Sequence, residues 1–477
     1  MRTVPEVHET FNDIESKFGL FDRTVAGVQY WERVRNDIYD NVCLSLGIFE
    51  EAGPELGSSW KDRFRGLYLL FRNVLVKNPY VTGDHDFLFY AHPRRKQRDD
   101  GTWFDLYTDP VLEGSNLDAV SVEYDHKLNH YTPPSTSLLR YTDFIEYLGT
   151  LYKMVSRYSI PETEVDYLKN AEQEFKEQFG VAVDLVGTVR DELAERQALL
   201  PLYDALLRRV DPEVAVLVVS YGKESFIEAC QRRGVPVVEL QHGSISKYHF
   251  GYSLPNNRQK VAFPDYFFTF GPFWRNRFDL PLDSENVYDV GYPYLEREAD
   301  KVQDQEDIIS DIGPQILFIS QETIGAKLSK FAAETSELVG DEYSIIYKLH
   351  PDEYSTWETK YPWLINSPIE VRGPESDSLY ELFAKADIQV GVYSTAVYEG
   401  LYFELDTYVV NTGGVHNIED LINEGVVTSV SSPESFYVEL KEGATAEYDP
   451  SRFFKSNSAN NVKQKLRSIL NQERDSE

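Results

Sequence analysis

Val214-Ala215-Val216-Leu217-Val218-Val219 runs into Ser220-Tyr221-Gly222-Lys223 and a helical stretch closing at Arg233-Gly234. Val235-Pro236-Val237-Val238-Glu239-Leu240 follows, delivering Gln241-His242-Gly243. An unbroken apolar run of this length, bounded by turn residues, is the pattern of a strand buried on both faces, as parallel sheets require. A parallel neighbour needs a crossover connection, and the helical stretch supplies it. The rest of the chain is placed outward from this strand-helix-strand unit.

Downstream, Tyr266-Phe267-Phe268-Thr269-Phe270 before Gly271-Pro272 and Val287-Tyr288-Asp289-Val290 before Gly291-Tyr292-Pro293 continue the series. Residues 296–313 are rich in Asp, Glu and Gln and read as a linker or exposed helix between domains. Strand-helix alternation restarts at Ile316-Leu317-Phe318-Ile319 and continues through runs near 344–347, 369–371, 388–392 and 407–410. Upstream, Phe87-Leu88-Phe89-Tyr90, Phe104-Asp105-Leu106-Tyr107 and Val120-Ser121-Val122-Glu123-Tyr124 read as strands, and 137–210 as helices. The expected fold class is α/β, with two Rossmann-like doubly wound domains facing across a cleft, an N-terminal helical extension and a helical insertion. The expected boundaries are 1–80 for the helical region, 81–295 for the first domain with its insertion at 137–210, 296–313 for the linker, 314–455 for a nucleotide-donor domain, and 456–477 for a closing helix and tail.

Composition bounds the function. Across 477 residues, 47 basic side chains stand against 79 acidic ones, a net charge of -32 that opposes non-specific nucleic-acid binding. Such acidity fits the salt-rich cytoplasm of a halophile, where a carboxylate surface stays hydrated. Cys43 and Cys230 are far apart and form no zinc or disulfide pattern, and Cys230 is expected to be buried. The N-terminus has no apolar stretch of signal or membrane length, so a cytoplasmic location is expected. No Walker loop, dinucleotide glycine motif or His-Glu-x-x-His motif occurs, which weakens kinase, dehydrogenase and metalloprotease readings.

Chemistry-bearing residues gather where strands end. Gln241-His242-Gly243, Lys348-Leu349-His350-Pro351 and Ser394-Thr395-Ala396-Val397-Tyr398-Glu399-Gly400 all follow predicted strands, the positions at which open α/β sheets bind ligands. His242 suits proton abstraction because imidazole titrates near operating pH; the plainer reading is a histidine bonded to loop backbone. Lys348 and His350 share a side of their strand, and Lys348 either supplies positive charge or pairs with a carboxylate. Ser394 and Thr395 open a helix, where they meet a phosphate or simply cap the helix, with Glu399 one turn later. Asp84-His85-Asp86 precedes its strand and reads as a turn.

These three segments in this order resemble the GT-B-type transferases of surface polysaccharide biosynthesis, including capsule polysaccharide transferases, polysialyltransferases and CDP-glycerol glycerophosphotransferases. The resemblance covers about 214–435. It implies a nucleotide-sugar donor, a glycan or lipid-linked acceptor, no cofactor and no metal. It implies catalytic roles for His242 and His350, the latter at the donor phosphates, and nucleotide contacts from Gln321, Glu322, Lys348, Ser394, Thr395 and Glu399. Gln241, Gly243, Arg94 and Arg95 are expected on the acceptor side. Closure of the two domains would exclude water and suppress donor hydrolysis. The competing readings are a sugar-nucleotide epimerase, a glycerophosphotransferase and a non-enzymatic nucleotide-binding scaffold.

One segment breaks the acidic trend. Trp60, Phe64, Leu67, Phe71 and Val74 fall at helical spacing, fringed by Lys61, Arg63, Arg65, Arg72 and Lys77. Such a helix either docks on the core or lies on an anionic membrane surface, which would add peripheral contact at the inner membrane face to the expected cytoplasmic location.

Overall fold

The computed structural model describes residues 2–48, 60–156, 158–303, 313–321, 324–374, 377–412, 414–443 and 447–476. The chain divides into two compact units, one of Glu6–Tyr294 with Asn457–Glu477 and the other of Leu295–Ser456. Each is an α/β body built on a parallel, Rossmann-like sheet.

In the first unit β1 (Phe87–Tyr90), β2 (Ala119–Glu123), β3 (Leu139–Tyr141), β4 (Val214–Val218), β5 (Val237–Leu240), β6 (Tyr266–Thr269) and β7 (Val287–Asp289) lie in the order β7-β6-β5-β4-β1-β2-β3. All neighbours are parallel, with Ala215 opposite Val237 and Leu217 opposite Glu239. Every residue of β4 is buried, because alternate side chains serve two cores. Ala215 and Leu217 join Leu88, Val237 and helix residues such as Leu206 and Phe226. On the other face, Val214, Val216 and Val218 meet Phe87, Val238, Val462, Leu466 and Ile469. The last three place the C-terminal helix, Ser458–Ser476, against this sheet, and Arg474 ties it to Glu213 and Asp86.

Building from β1 to β3 takes the chain to one side of the sheet, and β4 then starts on the other. Loops leaving β1 and β4 therefore part in opposite directions, opening a crevice at their carboxyl ends.

Helices Val4–Phe18 and Trp31–Ser45 share one core with helices Glu162–Phe179 and Leu185–Val210, in which Phe11, Trp31, Leu168, Phe175 and Val189 are buried together. Within it Arg35 pairs with Glu15 at 2.8 Å. The N-terminal stretch and the helical insertion, apart in sequence, thus form one packed layer.

Two local expectations are corrected. Leu139–Tyr141, read as helical, is a strand, since three residues show no period and only pairing with β2 defines them. The run at Phe104 lies outside the parallel sheet, with Trp103–Asp105 pairing antiparallel to Arg95–Gln97. Of the expected linker 296–313, the part to Gln303 completes helix Pro293–Gln303, and 304–312 lie outside the described residues. Cys43 and Cys230 are both buried.

In the second unit β8 (Gln315–Ile319), β9 (Ser344–Lys348), β10 (Glu370–Arg372), β11 (Ile388–Gly391), β12 (Asp406–Val410) and β13 (Thr428–Val430) are parallel in the order β10-β9-β8-β11-β12-β13. The direction of winding reverses between β8 and β11, so here the crevice opens beside Ser320 and Ser394. Among the described residues no helix is long and apolar enough to cross a membrane.

Candidate functional site

In the first unit the loop after β5 is held by Gln241. Its Oε1 accepts from the Phe270 N–H at 2.8 Å and its Nε2 donates to the Gly243 carbonyl at 2.8 Å. Tyr107 donates to the His242 carbonyl at 2.7 Å. With its backbone fixed on both sides, His242 presents a half-buried ring at the carboxyl end of the sheet.

The partners of that ring define its tautomer. Tyr252 donates its single hydroxyl proton to Glu239 Oε1 at 2.5 Å, and the Ser220 N–H donates to the same oxygen at 3.2 Å. The Tyr252 oxygen, 3.3 Å from His242 Nδ1, then serves as acceptor, which places the ring proton on Nδ1. Nε2 keeps its lone pair, with the Tyr221 hydroxyl 3.5 Å away. Burial, with His249, His92 and Lys223 nearby, pushes the His242 pKa down to about 3, so the ring is neutral. Burial raises Glu239 to about 7, partly offset by its hydrogen bonds from Tyr252 and Ser220. Its Oε2 is buried without a hydrogen-bond partner among the described residues.

Lys223 closes the other side of the crevice. Its Nζ donates to the carbonyls of Val218 at 3.1 Å and Val219 at 2.9 Å and lies over the Tyr90 ring. Burial lowers its pKa to about 8. Val219 has φ 68, a left-handed conformation that a β-branched residue strongly resists. Strain of this kind, on the order of 1–3 kcal/mol, persists only where the surroundings enforce it and gathers at functional sites.

In the second unit the turn after β9 is organised by a fully buried carboxylate, Glu353. Its Oε2 accepts from the His350 N–H at 2.7 Å, while its Oε1 accepts from Ser320 at 2.9 Å and Tyr361 at 2.7 Å. A Cβ at Gly325 would collide with that same oxygen, so the glycine is what admits the carboxylate. Glu353 thereby ties the end of β9 to the end of β8. His350 Nδ1 lies 3.3 Å from both the Asp352 N–H and the Asp352 carboxylate, so Asp352 holds the ring from that side. Glu353→Ala would leave two hydroxyls and an N–H without their acceptor. We expect it to lower the unfolding free energy by about 3 kcal/mol, measured by urea denaturation.

Ser394 is the N-cap of helix Thr395–Tyr402, yet its side chain makes no capping bond. The plain capping role is therefore not the one it fills. Thr395 opens the helix and Glu399, half-buried, follows one turn on. Gly400 has a packing reason: a Cβ there would overlap the side chain of Gln389, which is buried beneath the helix and donates to the Val397 carbonyl at 2.9 Å.

The remaining sequence candidates separate. Arg95 is buried, paired to Glu123 at 2.7 Å and Asp109 at 3.2 Å, so its guanidinium is committed inside the fold and cannot hold an anionic acceptor; this corrects the expectation. Arg94 beside it is exposed. Lys348 donates to the backbone carbonyls of Gly373 and Asp377, at 3.0 and 3.3 Å, and so braces a loop. Gln321 has a buried Oε1 without a hydrogen-bond partner among the described residues, and Glu322 lies outside them. Glu239, Tyr252, Tyr221, Lys223 and Glu353 were not among the candidates. A charge inside the apolar run Val237-Val238-Glu239-Leu240 was the one visible signal. Among the described residues no group of three or more His, Cys, Asp or Glu is placed to hold a metal ion.

No protein-family model matches the chain, and no curated protein matches it. Among solved structures, the UDP-GlcNAc 2-epimerase of Methanocaldococcus jannaschii aligns over 80% of this chain and 99% of its own, at 11% identity and a TM-score of 0.48. The UDP-GlcNAc 2-epimerase of Neisseria meningitidis bound to UDP-GlcNAc aligns over 80% and 99%, at 11% identity and 0.44. The wall teichoic acid polymerase TagF aligns over 87% and 99%, at 11% identity and 0.42. Likenesses of this strength leave the activity to be argued from the chain's own residues.

Proposed function

We propose that this protein is a transferase that moves a sugar from a nucleotide-activated donor to a hydroxyl of a glycan or lipid-linked acceptor. The observation that carries the reading is His242, a neutral imidazole with its proton fixed on Nδ1 and an unshared pair on Nε2. In the reaction the acceptor O–H gives its proton to Nε2 as its oxygen forms a bond to the anomeric carbon. The bond from that carbon to the donor phosphate breaks, and the nucleotide leaves with the electron pair. Taken by itself, the second unit offers His350 and the Ser394–Thr395 helix start as donors to a nucleotide phosphate, with Glu399 one turn on.

Thermal unfolding with UDP, CDP, GDP, CMP and their sugars tests the donor half. One nucleotide at a hundred times its Kd should stabilise the protein by about 2.7 kcal/mol. No shift with any of them overturns the reading. An epimerised sugar nucleotide formed without an acceptor would replace transfer by epimerisation.

A further inference from the structure

Helix Trp60–Leu75 docks on the core by one side and leaves a second apolar stripe outside. Its inward side carries Leu69, Leu70 and the polar Asn73, which donates to Asp143 at 2.6 Å. Its outward stripe is apolar, with Tyr68 63%, Phe71 65% and Leu75 85% exposed. The helix packs beside Asp143–Val155, whose last turn leaves Met154 74% and Val155 78% exposed. Segments 67–81 and 148–155 together hold 12 of the 17 exposed large hydrophobic residues among the described ones, so the apolar surface is concentrated on one face.

Charge on this face is of the opposite sign to the chain. Arg65 and Arg72 lie along it and make no ion pair among the described residues, while Lys77 turns its ammonium inward over the buried Tyr141 ring. The acids of the second helix turn inward. Asp143 is fully buried, and Glu146 accepts from Tyr90 and Tyr203. In a chain of net charge -32, a face that combines exposed apolar side chains with basic ones and withdraws its carboxylates is complementary to an anionic lipid surface. Repulsion from the acidic remainder is limited, since at physiological ionic strength charges more than about 8 Å away are largely screened.

We propose that this face docks on an anionic bilayer, with Phe71, Leu75, Met154 and Val155 entering the headgroup–acyl boundary and Arg65 and Arg72 contacting lipid phosphates. The proposal stands apart from the transferase reading and survives its failure.

Co-sedimentation of the full chain with phosphatidylcholine vesicles, with and without phosphatidylglycerol, tests it. Binding should require phosphatidylglycerol. Leu75→Ser and Val155→Ser should each weaken it roughly tenfold, and Arg72→Gln about fivefold. These positions are exposed, so unchanged circular dichroism and thermal midpoints should show that the variants fold. Absence of binding to either vesicle, or binding that the variants leave unchanged, overturns the proposal. A concentration-dependent dimer abolished by Leu75→Ser, without vesicle binding, assigns the face to a second copy of the chain and also overturns it.

Discussion

His242→Ala should reduce transfer turnover by about 10²–10⁴-fold, the usual contribution of a positioned general base, with nucleotide affinity unchanged. The expectation rests on how the ring is held. Tyr107 and Gln241 fix the loop backbone, Tyr252 fixes the ring proton, and Nε2 remains to accept. A pKa near 3 keeps this nitrogen unprotonated throughout the working range but makes it a weak base at rest. An anionic donor brought near the ring favours the imidazolium and raises its basicity when it is needed. Steady-state turnover alongside nucleotide thermal shifts separates the outcomes. Full turnover in the variant removes His242 from the mechanism; loss of both readouts would mean that the loop had collapsed.

Glu239→Gln should slow turnover by about ten- to a hundredfold, the range found for residues that orient a reacting group through another, and should change how stability depends on pH. The carboxylate accepts the Tyr252 hydrogen bond, and its charge supports the imidazolium that forms at His242 during transfer. Because burial raises Glu239 to about 7, the acid limb of kcat/KM should fall near pH 7 and belong to Glu239, with the active form above it. That limb should vanish in the variant. The sign for stability is opposite. A carboxyl whose folded pKa lies above its unfolded value of 4.5 costs nothing while protonated in both states, and stability is lost as pH rises through 4.5 to about 7. The loss is on the order of 3 kcal/mol at full ionisation. Urea unfolding at about pH 5 and pH 8 should therefore show the variant gaining on the parent at the higher pH. A pH-independent difference between them would show that Glu239 does not ionise in this window, and an acid limb retained in Glu239→Gln would remove it from the catalytic relay.

Parts of this architecture were legible because they depend on local pattern. Val214–Val218 and Val237–Leu240 are apolar enough that only a doubly covered parallel sheet accommodates them, and their loops carry the residues exposed at its carboxyl edge. Arg94 and Arg95 show where local pattern stops. The adjacent basic residues read alike, but in the ribbon Arg95 turns inward to Glu123 and Asp109 while Lys96 faces out. Glu239 was conspicuous as a charge in an apolar strand, yet its partner Tyr252 lies in irregular chain where no periodicity locates it. Helix Trp60–Leu75 announced an apolar stripe, but not whether anything covers it.

The central strands, the two-sheet α/β class and the presence of His242, His350 and Ser394 at strand ends follow from residue order alone, because hydrophobic period and turn chemistry act over a few residues; the edge strand Leu139–Tyr141 does not. The Tyr252–Glu239 relay, the Glu353 clamp on His350, the burial of Arg95 and the uncovered stripe at Leu75 required the folded chain. Each is set by which distant segment packs against a side chain, and the energy of a polar or apolar group depends on that neighbour more than on its own sequence context.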